Sequence, residues 1–293
     1  IAGDHAKAAP LLERYRRLDA HGLQVDEADT PKVYQDADAA NFLDSLSTEN
    51  RIPLHPPELN KHIGGGLIRG CHVVVYAPPE CGKTATAINF AYGMAHSGRK
   101  VMYFGNEESP DMYLNRMLCR FTRWPIEKVQ ADRAGAMKLA RQRGWANLIF
   151  VQLSPGSIPQ IQALILEHGP DAVIIDQLSN VELGVGKEPE KAVLLEKLAY
   201  RMRMFYSQHG IAGISFSQAD EKAIGKLYLT IKDIFYSNIA VQGMCDLMIG
   251  IGMNDEYQRI GRRMLCLTKN KLGGEHLGIP VQLYHKVSML RGV

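Results

Sequence analysis

No apolar run in the 293 residues approaches the ~20 that a membrane-spanning helix needs, which excludes an integral helical membrane protein. The opening IAGDHAKAAP has no signal-peptide pattern, so a cytoplasmic home is expected. Cysteine is scarce and unpaired in pattern. Cys71, Cys81, Cys119, Cys245 and Cys266 are odd in number and form no C-x-x-C pair, which argues against a disulfide framework or a zinc site. They read as reduced thiols, mostly in the core. Charge of one sign is also lacking. Lys and Arg number 34 against 31 Asp and Glu, a net +3, so any nucleic-acid surface must be local. There is no internal repeat and no low-complexity tract. What remains is ordinary globular composition, 46% apolar and 22% charged, enough for a sizeable core.

Residues 1–50 differ from the rest. KAAPLLERYRRLDAHG has helical spacing, with Leu11, Leu12, Tyr15 and Leu18 on one side, and DEADTPKVYQDADAANF is polar and acidic like a linker. A single such helix must dock, either on its own core or on a neighbouring subunit. The expected division is a helical arm and linker over 1–50 and one catalytic domain over 51–293. The start at Ile1 suggests a fragment of a longer chain.

From Arg51 onward strands and helices alternate. HVVVYA (72–77), VMYFG (101–105), LIFVQ (148–152), AVIID (172–176), IAGISFS (211–217), LMIGI (247–251), RMLCLTK (263–269) and IPVQLYH (279–285) read as strands. Several are continuous apolar runs, as strands buried on both faces are. Helices are expected in TATAINFAYGMAHSG, in SPDMYLNRMLCRF with Ser109 as cap and Pro110 in the first turn, and in EPEKAVLLEKLAYRMRMFYSQHG with Leu195, Leu198, Met202 and Phe205 on one face. This is an α/β pattern: a mostly parallel sheet, helices on both faces, and a C-terminal antiparallel hairpin joined by NKLGGEHLG.

The stretch APPECGKTAT (77–86) carries the first chemistry. It follows a strand and opens a helix, and it ends G-K-T like a phosphate-binding loop, although Ala77 stands where the general pattern has glycine. The loop runs over Pro78, Pro79, Glu80, Cys81, Gly82, Lys83, Thr84 and Ala85; the two prolines stiffen it and have no N–H, and the successive backbone N–H groups that follow, with the helix N-terminus, would cradle phosphates. Gly82 would let the main chain approach closely. Lys83 would reach the β- and γ-phosphates, and Thr84 would offer its hydroxyl to Mg²⁺. AVIID ends in Asp176 at a strand tip, placed to hold the magnesium shell opposite Thr84. Glu107 and Glu108 follow another strand tip, where one could polarise the attacking water, or both could simply cap the next helix. Gln218 stands at a third tip, where an amide can sense the γ-phosphate.

Taken in order, LNKHIGGGLIRGCHVVVYAPPECGKT, YFGNEES, VIIDQLSN, SFSQAD and KNKLGG resemble the RecA-like ATPase domain of DnaB-type replicative helicases, with closer similarity to phage-encoded ring helicases. The likeness covers residues 51–290, includes Arg116 nine residues after Glu107, and extends to alanine at the head of the loop, which is usual in that family. It implies a RecA-like P-loop NTPase fold, ATP or another NTP or dNTP as substrate, and Mg²⁺. It implies Glu107, not Glu108, as the catalytic carboxylate, Asp176 as the metal-shell acid, and Gln218 as the switch between γ-phosphate and DNA loop. The family's hairpin sends a K-x-R pair into the neighbour's site. Here the pair is Lys269 and Lys271, with Arg262 or Arg263 as alternative fingers. QGMCD (242–246) fits the family's Q-x-x-D only with a one-residue shift.

The resemblance further implies a homo-hexameric ring around single-stranded DNA, with primase and polymerase as further partners. The expected DNA loops are VELGVGKEPEK (181–191), with Lys187 and Lys191, and ADEKAIGKLYLTIKDIFYSN (219–238), with Lys222, Lys226, Lys232 and Asn238. Tyr228, Phe235 and Tyr236 either stack on bases or pack. The expected function is a replicative helicase coupling NTP hydrolysis to translocation and unwinding. The alternative is a RadA- or KaiC-like recombination or regulatory ATPase, since GGGL-IRG before a phosphate loop occurs there too.

Overall fold

A computed structural model describes residues 47–153, 156–184, 190–235 and 242–293 of the protein. The expected N-terminal helix, Lys187, Tyr236 and Asn238 lie outside the described residues. Eleven strands are β1 His72–Ala77, β2 Val101–Gly105, β3 Leu148–Gln152, β4 Gly156–Ser157, β5 Ala172–Asp176, β6 Val181–Glu182, β7 Ala212–Gln218, β8 Leu247–Gly252, β9 Arg262–Asn270, β10 Gly278–Tyr284 and β11 Met289–Gly292. The helices are α1 Glu58–Lys61, α2 Lys83–His96, α3 Pro110–Thr122, α4 Ile126–Ala131, α5 Arg133–Gln142, α6 Ile158–His168, α7 Lys191–His209 and α8 Asp255–Arg259.

Nine strands form one sheet in the order β11-β10-β9-β8-β1-β7-β5-β2-β3, while β4 and β6 pair separately. The six strands from β8 to β3 run parallel, and β9, β10 and β11 add antiparallel at one edge. Successive side chains of a strand point to opposite faces. Thus Val73 and Val75 of β1 join the core beside α2, with Phe90 and Met117, while Val74 and Tyr76 join the core beside α6 and α7, with Ile161 and Leu198. Both faces are covered, which is why these strands are unbroken apolar runs.

The helix α7 buries Leu195, Leu198, Met202 and Phe205 as its spacing requires, and ends at Gly210 with φ 63°. It lies so close to β7 that a Cβ on Gly213 would fall 1.9 Å from the Tyr206 ring. Ser109 does occupy the N-cap of α3 and Pro110 its first turn, but the serine side chain makes no capping bond. All five cysteines are buried, as core thiols are. Among the described residues no helix is long and apolar enough to cross a membrane.

One buried ionisable group gives this core a pH dependence. His72 is fully buried, and its ring bridges the Met244 carbonyl and the Ser215 hydroxyl. Desolvation lowers its pKa from 6.5 to about 4; Met244 partly offsets this, Arg203 adds to it, and Asp246 opposes it. The unfolded chain therefore takes up the proton first. Stability from this residue is full above pH 6.5 and falls as pH drops toward 4, by up to about 3 kcal/mol. Urea midpoints at pH 7.5 and 4.5 should show a steeper acid loss in the natural protein than in His72→Gln. Parallel losses would show that the ring does not titrate in this window.

Candidate active site

Strand register assembles the site. Ala77 at the tip of β1 pairs with Gln218 at the tip of β7, and Gly105 at the tip of β2 pairs with Asp176 at the tip of β5. These four tips share the C-terminal edge of the parallel strands, where α/β sheets take ligands. A cavity of about 490 Å³ opens there, lined by Pro79, Glu80, Gly82, Lys83, Thr84, Ala85, Glu107, Glu108, Arg116, Gln218, Leu283, His285 and Ser288.

The loop before α2 is held by backbone conformation and by one arginine. Glu80 (φ 61°) and Gly82 (φ 94°) are both left-handed. A Cβ on Gly82 would meet only Leu283 and Arg263, at ordinary distances of 3.6 and 3.9 Å. The glycine is therefore required here by its left-handed dihedral, with no clash against its own chain. The Gly82 carbonyl starts the helix, accepting from the Thr86 N–H and hydroxyl, both at 2.9 Å. Beneath the loop, buried Arg263 of β9 donates from Nε to the Cys81 carbonyl at 3.0 Å and from Nη1 to the Arg262 carbonyl at 2.6 Å. This corrects one expectation. Arg263 braces the loop of its own chain and cannot also reach a neighbour as a finger.

Asp176 is fully buried. Its Oδ2 accepts from the Tyr103 hydroxyl at 2.7 Å, and its backbone carbonyl from the Tyr113 hydroxyl at 3.2 Å. Desolvation raises its pKa to about 6, with Tyr103, Thr84 and Lys83 pulling the other way and Glu107 adding to the rise. Its Oδ1 is buried with no hydrogen-bond partner among the described residues. A buried carboxylate with an oxygen short of a strict hydrogen bond, within the influence of the Thr84 hydroxyl and Lys83, suits Mg²⁺, which takes one or two protein oxygens and fills its shell with water and phosphate.

The two glutamates part company. Glu108 Oε1 pairs with Arg116 Nη1 at 3.1 Å, whereas Glu107 has no ion-pair partner among the described residues. Next to them, Asn106 donates to the Gln177 carbonyl and accepts from its N–H, at 2.9 and 2.6 Å, locking the β2 and β5 exits together. Gln218 is half-buried at the pocket, and its carbonyl accepts from the Phe235 N–H at 3.1 Å.

The segment after Gln218 folds back on itself through an Ala219–Ile234 bridge. Lys222 and Lys232 are both exposed. Lys226 is exposed too but is tied to Asp233 at 2.7 Å, so its charge is partly spent within the chain. Tyr228 is 62% exposed, so of the two expected roles it does not pack in the core. Lys191 begins α7.

The hairpin lysines stand apart from their own chain's pocket. The Lys269 ammonium donates to the Gln242 carbonyl. Lys271, just past β9, has a half-exposed side chain 3.7 Å from Asp246, which is also bound by Arg203 at 2.6 Å. Sequence reasoning missed Leu283, His285 and Ser288 as pocket walls. They come from β10 and the turn into β11, and no glycine or charged motif marks that turn.

The sequence profile of the AAA domain family matches residues 36–219, well over half of the chain. The chain belongs to the AAA domain family. The solved structure of a DnaB-like replicative helicase, described with its interactions with primase, superposes on 98% of this AAA-family chain and 74% of its own, with a TM-score of 0.79 at 15% identity. The ATPase domain of a phage helicase covers 90% of this chain and all of its own, with a TM-score of 0.76 at 15% identity. The fold is thus the RecA-like ATPase fold of DnaB-type helicases. Sequence matches are shorter. The DNA repair protein RadA of Listeria monocytogenes is 36% identical over 62 residues, 21% of this chain and 14% of its own length. The circadian clock protein KaiC3 of Synechocystis sp. is 26% identical over 141 residues, 48% of this chain and 26% of its own. The chain therefore spans a quarter or less of the length of most curated relatives it matches. Family and fold are those of nucleotide-hydrolysing ATPase domains.

Proposed function

We propose that this AAA-family chain is the motor of a ring-forming replicative helicase, which hydrolyses ATP or another NTP and thereby moves along single-stranded DNA and separates duplex. The observation that carries the reading is the division of the site. Phosphate loop, Glu107, Asp176 and Gln218 converge on one sheet edge, while Lys269 and Lys271 lie outside the pocket in the same chain. In this reading a neighbour supplies the missing hairpin cation, and head-to-tail contacts of that kind form rings when the rotation between subunits closes. A hexamer in the cytoplasm, with primase and polymerase as partners, is the form proposed.

Lys83 and the loop amides hold the triphosphate. Thr84 and Asp176 would hold Mg²⁺, which would offset phosphate charge when bound. Glu107 takes the proton of a water as its oxygen bonds to the γ-phosphorus and the bond to the β-phosphate oxygen breaks. Gln218 senses the γ-phosphate and passes its loss to the 219–235 segment through the contact with Phe235. Lys222, Lys232 and Asn238 follow DNA phosphates without reading sequence. Lys226 joins them only where Asp233 releases it.

The second reading, a RadA- or KaiC-like recombination or regulatory ATPase, is favoured by the curated sequence matches. One experiment separates them: hydrolysis with and without single-stranded DNA, displacement of a forked duplex, and particle images. The helicase reading expects DNA-stimulated turnover, fork opening and six-fold rings. Filaments without fork opening would support recombination. DNA-indifferent turnover would support the regulatory ATPase.

A further inference from the structure

Asn89 sits in the middle of α2 and is fully buried. A buried amide is costly unless its hydrogen bonds are made. Here all four are. Nδ2 donates to the carbonyls of Ala85 and Ser288, both at 2.8 Å, and Oδ1 accepts from the Leu290 N–H at 3.0 Å and from Arg120 Nε at 2.5 Å. Two of these partners, Ala85 and Ser288, line the pocket.

We infer that Asn89 is a positioning residue. It ties the phosphate-loop helix to the turn between β10 and β11, and so holds that turn as the wall that receives the base of the nucleotide. The inference rests on the nucleotide reading above. Lys83, Thr84 and Gln218 mark the triphosphate end of the pocket, so the rest of the ligand, sugar and base, extends toward the remaining wall. That wall consists of Leu283, His285 and Ser288: an aliphatic chain, a flat ring and a small hydroxyl. Their chemistry suits a planar uncharged base, not a phosphate. Desolvation, with nearby Arg263, lowers the pKa of His285 and favours its neutral ring.

The turn needs an outside tether. Ser288 is a non-glycine residue at φ 46°, a conformation that persists only where the surroundings over-determine it. Asn89 grips the chain directly after that strained residue, at the Ser288 carbonyl and at the Leu290 N–H two residues on. Arg120 fixes which way the amide faces. Its guanidinium lies 3.5 Å from the centre of the Tyr92 ring and has only donors, so it can bond only to Oδ1. Nδ2 is then turned toward Ala85 and Ser288.

The substitution Asn89→Asp keeps volume and both acceptor bonds but removes both donors. Affinities for ATP, dTTP and inorganic tripolyphosphate should be measured for the natural chain, Asn89→Asp and the exposed-site variant His285→Ala. Both variants should bind the nucleotides at least about tenfold more weakly while binding tripolyphosphate as before. Turnover should show a raised KM with kcat retained. Nucleotide affinity unchanged in His285→Ala, or a loss for tripolyphosphate as large as for nucleotide in Asn89→Asp, would overturn the inference. If the natural chain binds tripolyphosphate and nucleotide equally, the base wall is refuted while the phosphate loop stands. If it binds neither, the nucleotide reading itself fails.

Discussion

Glu107→Gln is expected to lower hydrolysis by about 10²- to 10⁴-fold, the usual contribution of a positioned general base, and to leave nucleotide binding intact. The geometry separates this residue from its neighbour. Glu108 shares its carboxylate with Arg116, so its negative charge is balanced and its lone pairs are partly taken. Glu107 lines the same pocket without such a partner among the described residues, which leaves it able to accept a proton from water. The amide of glutamine keeps the shape and loses the basicity. Glu108→Gln should instead act through Arg116, loosening a side chain that also lines the pocket, with a smaller loss spread over binding and turnover. Single-turnover rates and equilibrium binding of both variants decide the matter. Complete loss in Glu108→Gln with turnover retained in Glu107→Gln would move the base by one residue and with it the register of the resemblance.

Much of this site is legible in the sequence because its chemistry is local there. Strand, loop and helix follow one another through HVVVYAPPECGKTATAINF, and the strands that lead to Asp176, Glu107 and Gln218 are largely apolar runs ending near a polar residue. Eight of the nine strands of the main sheet are such runs, and their sequence boundaries fall within one or two residues of the structural ones. The ninth, β11, is four residues long and follows a strained serine, and no pattern announces it. The two-residue β4 and β6 and the short helices α1 and α8 escape sequence reading for brevity, and α4 and α5 for want of a broad apolar stripe; α6 also goes unread, although its capping box at Ser157 and its Ile158, Ile161 and Ile165 at helical spacing are a usable signal. Contacts that depend on pairing across the sheet are beyond it as well. In sequence Arg263 looks like a free cation near a hairpin; the antiparallel register of β9 turns it under the phosphate loop. The Asn89 tether spans about two hundred positions to Ser288 and Leu290 and leaves no trace in local spacing. Gly82 is marked as required by its motif, and the structure adds a demand that the motif does not state, a left-handed dihedral.

The largest effect is expected at the subunit seam. A trans arginine finger is worth about 10³ to 10⁵ in rate in other NTPases, and a lysine lacks the planar fork, so Lys271→Ala should cost about 10³-fold. Lys269→Ala should cost far less, because the Lys269 ammonium is already committed to the Gln242 carbonyl. Lys271 is held only at 3.7 Å by an Asp246 carboxylate that Arg203 also occupies, so a neighbour's γ-phosphate can draw it away at little expense. The decisive measurement mixes two dead proteins. Lys83→Ala chains cannot hold phosphate but carry Lys271; Lys271→Ala chains hold phosphate but lack the cation. In head-to-tail rings formed from equal amounts, about a quarter of the seams join an intact loop to an intact lysine. Activity should therefore return to a sizeable fraction of the natural rate and vanish again on dilution to monomers. If verified mixed rings stay inactive, Lys271 does not act across the seam. The cation completing the pocket would then have to come from the same chain, with Arg116, already on the pocket wall, the first residue to test.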